Sequence, residues 1–251
     1  MRVKFCLLTI VFILGCGGDV RNFEVVPKVI SGSAVEGDAG SQVVKLELKY
    51  SDGSIGLCSG TVIAANAVLT ASHCLLDTSS ITIVANDRKI SPSKIYSAPG
   101  FREDSSVNAI FNDLAILKTS EPIGLPALPI LASRSPANNE TVTIYGYGLD
   151  ESGDFGALKS GEMILSSVTS NHLFADYTGK GSNACNGDSG GPATYSVTNE
   201  AGNSVGVAVA GIISSGLKED CKPGDVTLFT NISDQNAINF ILSVVPEVSI
   251  L

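Results

Sequence analysis

The chain has 251 residues, of which 44% are hydrophobic and 16% charged, with 26 glycines, a formal charge of −9 and a pI of about 4.7. That apolar fraction supports a sizeable core and separates the chain from disordered polar sequences, while the acidic balance argues against nucleic acid as a partner. No run of 18 apolar residues occurs that would suggest a membrane-crossing helix.

Taken in order, Arg2 and Lys4 precede an apolar run at residues 5–14, the pattern of an export signal and too short to span a bilayer. It ends in Ile13-Leu14-Gly15-Cys16, which resembles the bacterial lipobox, whose cysteine becomes a lipidated first residue. Ile13 and Leu14 depart from that motif, so ordinary signal cleavage nearby stays open. The reading gives a signal at 1–15, a tether or propeptide at 16–28 with a lipid anchor on Cys16, and export from a bacterial cell.

Residues 22–28 read as a linker ending in Pro27-Lys28, before Val29-Ile30-Ser31-Gly32. Val44, Leu46, Leu48 and Tyr50 alternate with Lys45, Glu47 and Lys49, the period of a half-buried strand. Ser51-Asp52-Gly53 turns the chain, residues 57–63 return as a second strand, and residues 67–70 form a third that ends near His73. Short apolar runs follow at 81–85, 114–118, 141–145, 163–168, 205–213 and 226–230, punctuated by Pro and Gly. Only residues 233–245 carry a helical period, with Ile238, Ile241, Leu242 and Val245 on one face and Pro246 as the stop. Many short strands and one terminal helix predict an all-β, antiparallel barrel architecture.

Cys6 lies in the signal and Cys16 is the lipid candidate, which leaves Cys58, Cys74, Cys185 and Cys221. An even remainder in an exported chain suggests two disulfides, with three pairings open. A metal site competes weakly, since there is no CxxC pair and His172 has no partner motif; His172 reads as surface or packing.

Chemistry concentrates in three stretches. Cys185-Asn186-Gly187-Asp188-Ser189-Gly190-Gly191-Pro192 holds one serine in a turn whose glycines let backbone N–H groups approach a substrate. Serine needs a base, and Thr70-Ala71-Ser72-His73-Cys74 supplies a histidine; Asn112-Asp113-Leu114 supplies an aspartate at the head of an apolar run. In the order His, Asp, Ser, and together with Val29-Ile30-Ser31-Gly32, these motifs make the chain from Val29 onward resemble the trypsin/chymotrypsin family of serine peptidases.

The resemblance implies a fold and a set of roles. Two packed antiparallel six-stranded β-barrels would span about 29–125 and 137–232 within a peptidase domain at 29–251, joined by a Pro-rich linker at 122–136 and closed by the helix at 233–245. Ser189 would be the nucleophile, His73 the base and Asp113 its orienter, with N–H groups of Gly187 and Ser189 as the oxyanion hole and no cofactor. It selects the pairings Cys58–Cys74 and Cys185–Cys221. Asn183 would floor the substrate pocket, with Gly216 and Gly224 as walls and Ser214 supporting Asp113. A neutral Asn183 predicts poor acceptance of Lys or Arg. Cleavage after Lys28 would free the Val29 amine to pair with Asp188, the cut being made by another protease. The partners implied are protein or peptide substrates, with membrane contact only through the anchor, and the chain is expected to be a monomer. A catalytically silent surface-binding module is the alternative reading. An esterase is disfavoured because Gly187-Asp188-Ser189-Gly190-Gly191 would need an α/β context and the order Ser, Asp, His.

Overall fold

The computed structural model describes residues 29–35, 40–149, 156–218 and 220–251. The signal segment, the Cys16 lipidation candidate and Lys28 lie outside the described residues.

Two antiparallel, barrel-like sheets make up the fold. The first has seven strands in the order Arg88–Ile90, Thr78–Ala85, Val43–Tyr50, Ile55–Ala64, Ala67–Thr70, Ala115–Lys118 and Lys94–Ser97. The second has eight, ordered Ser33–Ala34, Lys159–Ile164, Thr141–Gly146, Pro192–Thr198, Ser204–Gly216, Asp225–Asn231, His172–Tyr177 and Ser167–Val168. Both exceed the six strands implied by resemblance, because short edge strands such as Ser33–Ala34 and Arg88–Ile90 join each sheet. A separate hairpin pairs Arg102–Asp104 with Ala109–Phe111.

The alternation seen in the sequence is realised in Val43–Tyr50, where Val44, Leu46 and Leu48 are buried. The run at 163–168 instead splits into the end of Lys159–Ile164 and the short strand Ser167–Val168. Ser33–Ala34 is the first strand among the described residues, yet it pairs with Ser160 and Lys159 of the second sheet. The first segment thus belongs structurally to the second barrel and not to the N-terminal one, because its hydrogen-bonding edge is there.

The Pro-rich stretch crosses between the halves. Ile123 and Leu128 donate N–H bonds to Ala65 and Val62 in the first half, and Leu131 donates to Val209 in the second. The helix runs over Gln235–Val244, two residues later than its predicted start, because Asp234 caps it by accepting the Asn236 N–H at 2.8 Å. Its buried Ala237, Phe240 and Ile241 join the hydrophobic cluster of the first sheet, with Val245 beside them, so the C-terminus straps the halves together. Among the described residues no helix is long and apolar enough to cross a membrane.

Candidate active site

His73 and Asp113 meet because their strands are neighbours. Thr70 pairs with Ala115 at the end of an antiparallel ladder, so the chain leaving Thr70 toward His73 and the chain arriving from Asp113 share one edge. The Ser72 hydroxyl donates to Leu114 O at 2.7 Å and locks the two loops. His73 Nδ1 then lies 2.7 Å from Asp113 Oδ2, while the His73 backbone N–H donates to Oδ1 at 2.9 Å. Ser214 from the second sheet donates its hydroxyl to the same Oδ2 at 2.6 Å.

Asp113 is fully buried. Burial pushes its carboxyl up, but the hydrogen bond and charge of His73, the Ser214 hydroxyl and the His73 N–H outweigh it and hold the pKa below the ordinary value. An ionised carboxylate fixes Nδ1 as the protonated nitrogen and leaves Nε2 as the acceptor.

The serine turn is held by both sheets. Gly190 and Gly191 donate to Ile213 O and Asp188 O, each at 2.8 Å, and the first sheet reaches across, with Ser59 N–H donating to Ser189 O at 2.8 Å. The Ser59 hydroxyl donates to Gly187 O at 2.9 Å and accepts from Tyr147 N–H at 3.0 Å. Gly190 has a φ of +81°, and a Cβ there would lie 2.1 Å from Thr70 Oγ1, so glycine is required for the turn to nest against the first sheet. Ser59 was not singled out from sequence: one serine inside the strand Ile55–Ala64 carries no signal of a contact 128 residues away.

Ser189 and His73 line one cavity of about 250 Å³, together with Ser214, Ser215, Gly216 and Asp225. No hydrogen bond links His73 Nε2 with the Ser189 hydroxyl, and the N–H groups of Gly187 and Ser189 donate to no acceptor among the described residues. The two donors are thus available to an incoming oxyanion.

Asp188 is also fully buried; its Oδ1 accepts from Gly148 N–H at 2.8 Å and its Oδ2 from Cys185 N–H at 2.9 Å. Burial raises its pKa to about 6 against the lowering effects of those bonds and of the Lys159 charge. Val29 is buried in the hydrophobic cluster that holds Val142, Ile144 and Ala184, and Ile30 O accepts the Asn183 N–H at 3.0 Å.

Asn183, expected at the pocket floor, bonds through its side chain to two residues that line the cavity, Thr227 and Asp225. It has no exposed surface and lies behind the cavity wall, where Thr227 and Asp225 stand in front of it. Gly216 lines the cavity; Gly224 sits at its margin under the Lys218 ammonium. The disulfides Cys58–Cys74 and Cys185–Cys221 are formed. Among the described residues the only cluster with metal-ligand geometry is Cys58, His73 and Cys74, and its two sulfurs are bonded to each other, so it offers no thiolates. His172 is a packing residue: Nε2 lies 2.8 Å from Ile110 O and its ring meets Phe111 edge-on at 5.0 Å.

Comparison with known proteins places this geometry. The family profile described as Trypsin matches residues 30–241. Serine protease 56 of Mus musculus is 29% identical over 238 residues, covering 82% of this chain and 38% of that protein. Brachyurin of Leptuca pugilator is 27% identical over 198 residues, covering 70% of this chain and 83% of its own length. The solved structure of HL collagenase superposes with a TM-score of 0.66 at 18% identity, over 86% of this chain and 98% of that one, a likeness of fold. The chain therefore spans well under half of the first relative, and the relatives named here are animal proteins.

Proposed function

This chain belongs to the trypsin family of serine endopeptidases, and from that premise we propose that it hydrolyses protein or peptide substrates through Ser189, His73 and Asp113. The observation that carries the reading is the buried Asp113 carboxylate, which receives both His73 Nδ1 at 2.7 Å and the Ser214 hydroxyl at 2.6 Å at the edge of the cavity lined by Ser189. Ser189 Oγ attacks the scissile carbonyl while His73 Nε2 takes its proton, and the carbonyl oxygen becomes an oxyanion received by the N–H groups of Gly187 and Ser189. His73 returns the proton to the leaving amine, leaving an acyl-enzyme on Ser189. A water molecule, deprotonated by the same nitrogen, releases the acid and restores the serine. No cofactor enters these steps.

Activation by cleavage after Lys28 is part of the proposal. Its support is twofold: Val29 and Ile30 dock against the second sheet, Ile30 through the Asn183 N–H, and the serine turn of that sheet holds a buried Asp188 whose carboxyl is raised to about 6 by burial. A freed Val29 ammonium brought to that carboxylate would stabilise its charge and the turn that carries the oxyanion donors. The same cut would separate the domain from an anchor at Cys16, if the chain is exported and lipidated in a bacterium as its first residues suggest, and the released domain acts as a monomer. In the purified, cut chain, Ser189→Ala is expected to lower kcat on a peptide substrate by roughly 10⁶. Equal turnover by mutant and wild type would refute the peptidase reading.

A further inference from the structure

The substrate pocket carries a charge that the sequence motifs do not announce. Asp225 follows Gly224 at the start of the strand Asp225–Asn231, is 2% exposed, and lines the same cavity as Ser189. Its Oδ1 accepts N–H bonds from Lys218 at 2.8 Å and Val226 at 2.7 Å, and its Oδ2 accepts from Asn183 Nδ2 at 3.2 Å. All three donors are uncharged. Among the described residues no Lys, Arg or His forms an ion pair with it. No cationic side chain among the described residues is paired with the carboxylate, and Oδ2 retains room for a further donor.

Asn183 serves this carboxylate instead of facing substrate. Its Oδ1 accepts the Thr227 hydroxyl at 2.8 Å, while Nδ2 donates to Asp225 Oδ2 and, at 3.3 Å, to Cys221 O. Two of its neighbours can only accept, so the amide orientation is fixed with NH₂ toward them. A Cβ on Gly216 would lie 3.0 Å from Asp225 Oδ2 and 3.2 Å from Oδ1. The missing side chain thus opens the slot in which the carboxylate is presented.

We infer that Asp225, supported by Asn183, is the specificity-determining residue of this pocket and selects substrates with a cationic side chain, lysine or arginine, on the acyl side of the cleaved bond. A buried carboxylate held by neutral donors gains most from a partner that brings a full positive charge and several N–H groups, which guanidinium and ammonium both do. This reverses the preference expected from a neutral Asn183. It also makes the bond after Lys28 one that the pocket itself accepts, so activation needs no second protease. Lys218 supplies the opposing feature: its exposed ammonium, 2.9 Å from where a Gly224 Cβ would stand, marks the pocket margin, and an acidic side chain held there is the rival outcome.

The inference rests on the peptidase reading, and two readouts separate their failures. The first is kcat/KM of the cut chain on peptide amides that differ only in the P1 residue, Arg, Lys, Leu, Phe or Glu. The second is binding of p-aminobenzamidine, an aromatic amidinium, to the Ser189→Ala chain, followed by fluorescence and needing no turnover. Arg and Lys are expected to lead, with Asp225→Asn lowering the Arg-to-Leu ratio about a hundredfold and weakening amidinium binding by a similar factor. Should Asp225→Asn fail to fold, wild-type binding of benzamidine over the uncharged benzamide gives the same answer. Amidinium binding without turnover on any peptide would uphold the pocket and sink the peptidase. Preference for Leu, Phe or Glu, or amidinium binding no tighter than amide binding, would overturn the role of Asp225.

Discussion

Asp113 and Asp188 stand on opposite sides of the serine turn, both without exposed surface, and their carboxyls are driven in opposite directions. Asp113 belongs to a loop of the first sheet and faces His73, which can carry a positive charge, as well as the Ser214 hydroxyl. Asp188 belongs to the second sheet's turn; among the described residues it receives two backbone N–H groups at hydrogen-bond distance, and the Lys159 charge acts on it without a hydrogen bond between them. Both pay for burial, but among the described residues only the first receives a hydrogen bond from a chargeable side chain. The His73–Asp113 side is electrostatically complete as folded, whereas on the Asp188 side the carboxylate is in place ahead of the Val29 cation proposed to join it.

The largest consequence of the contrast concerns Asp113. Asp113→Asn keeps the shape but takes away the charge and offers an amide NH₂ to His73, so it should lower kcat by about 10⁴ while leaving a folded chain. Circular dichroism and steady-state kinetics on the purified variant check both halves. A loss of tenfold or less would mean that Asp113 does not set the state of His73.

Asp188 should declare itself through pH. Its folded pKa of about 6 lies above the ordinary 3.8, so between these values the fold holds a proton that the unfolded chain has released. Stability of the uncut Lys28→Gln chain is therefore greatest below about pH 4 and falls by about 3 kcal/mol as pH rises through 6. Adding Asp188→Asn should remove that slope, and so should the free amine of a chain beginning at Val29. Urea melts at pH 4, 5, 6 and 7 measure it; identical slopes in cut and uncut chains would dissociate Asp188 from activation.

Legibility from sequence followed the same division. The stretches that bring His73 to Asp113 and put His73 and Ser189 on one cavity were visible because each is a compact motif, and the disulfide partners were readable once those motifs had pointed to the family. Long strands such as Val43–Tyr50 announced themselves by alternation, whereas Ser33–Ala34 and Arg88–Ile90 are too short to show any period. Asp225 was missed for a physical reason. An acid after a glycine reads as a solvated turn, and only the three-dimensional pairing of Asp225–Asn231 with Ser204–Gly216 presents it to the cavity across from Gly216. The burial of Asn183 was hidden in the same way, since sequence gives the identity of a pocket residue without saying which neighbour stands in front of it.

The most direct measurement of the central claim is covalent. The cut chain, treated with a fluorophosphonate and digested for mass spectrometry, should carry a single phosphonyl group on Ser189, formed as Oγ displaces fluoride and His73 takes the hydroxyl proton. The His73→Ala chain, under the same exposure, should remain unmodified. An unlabelled wild type, or equal labelling of the two chains, would contradict the account of Ser189 as a nucleophile activated by His73.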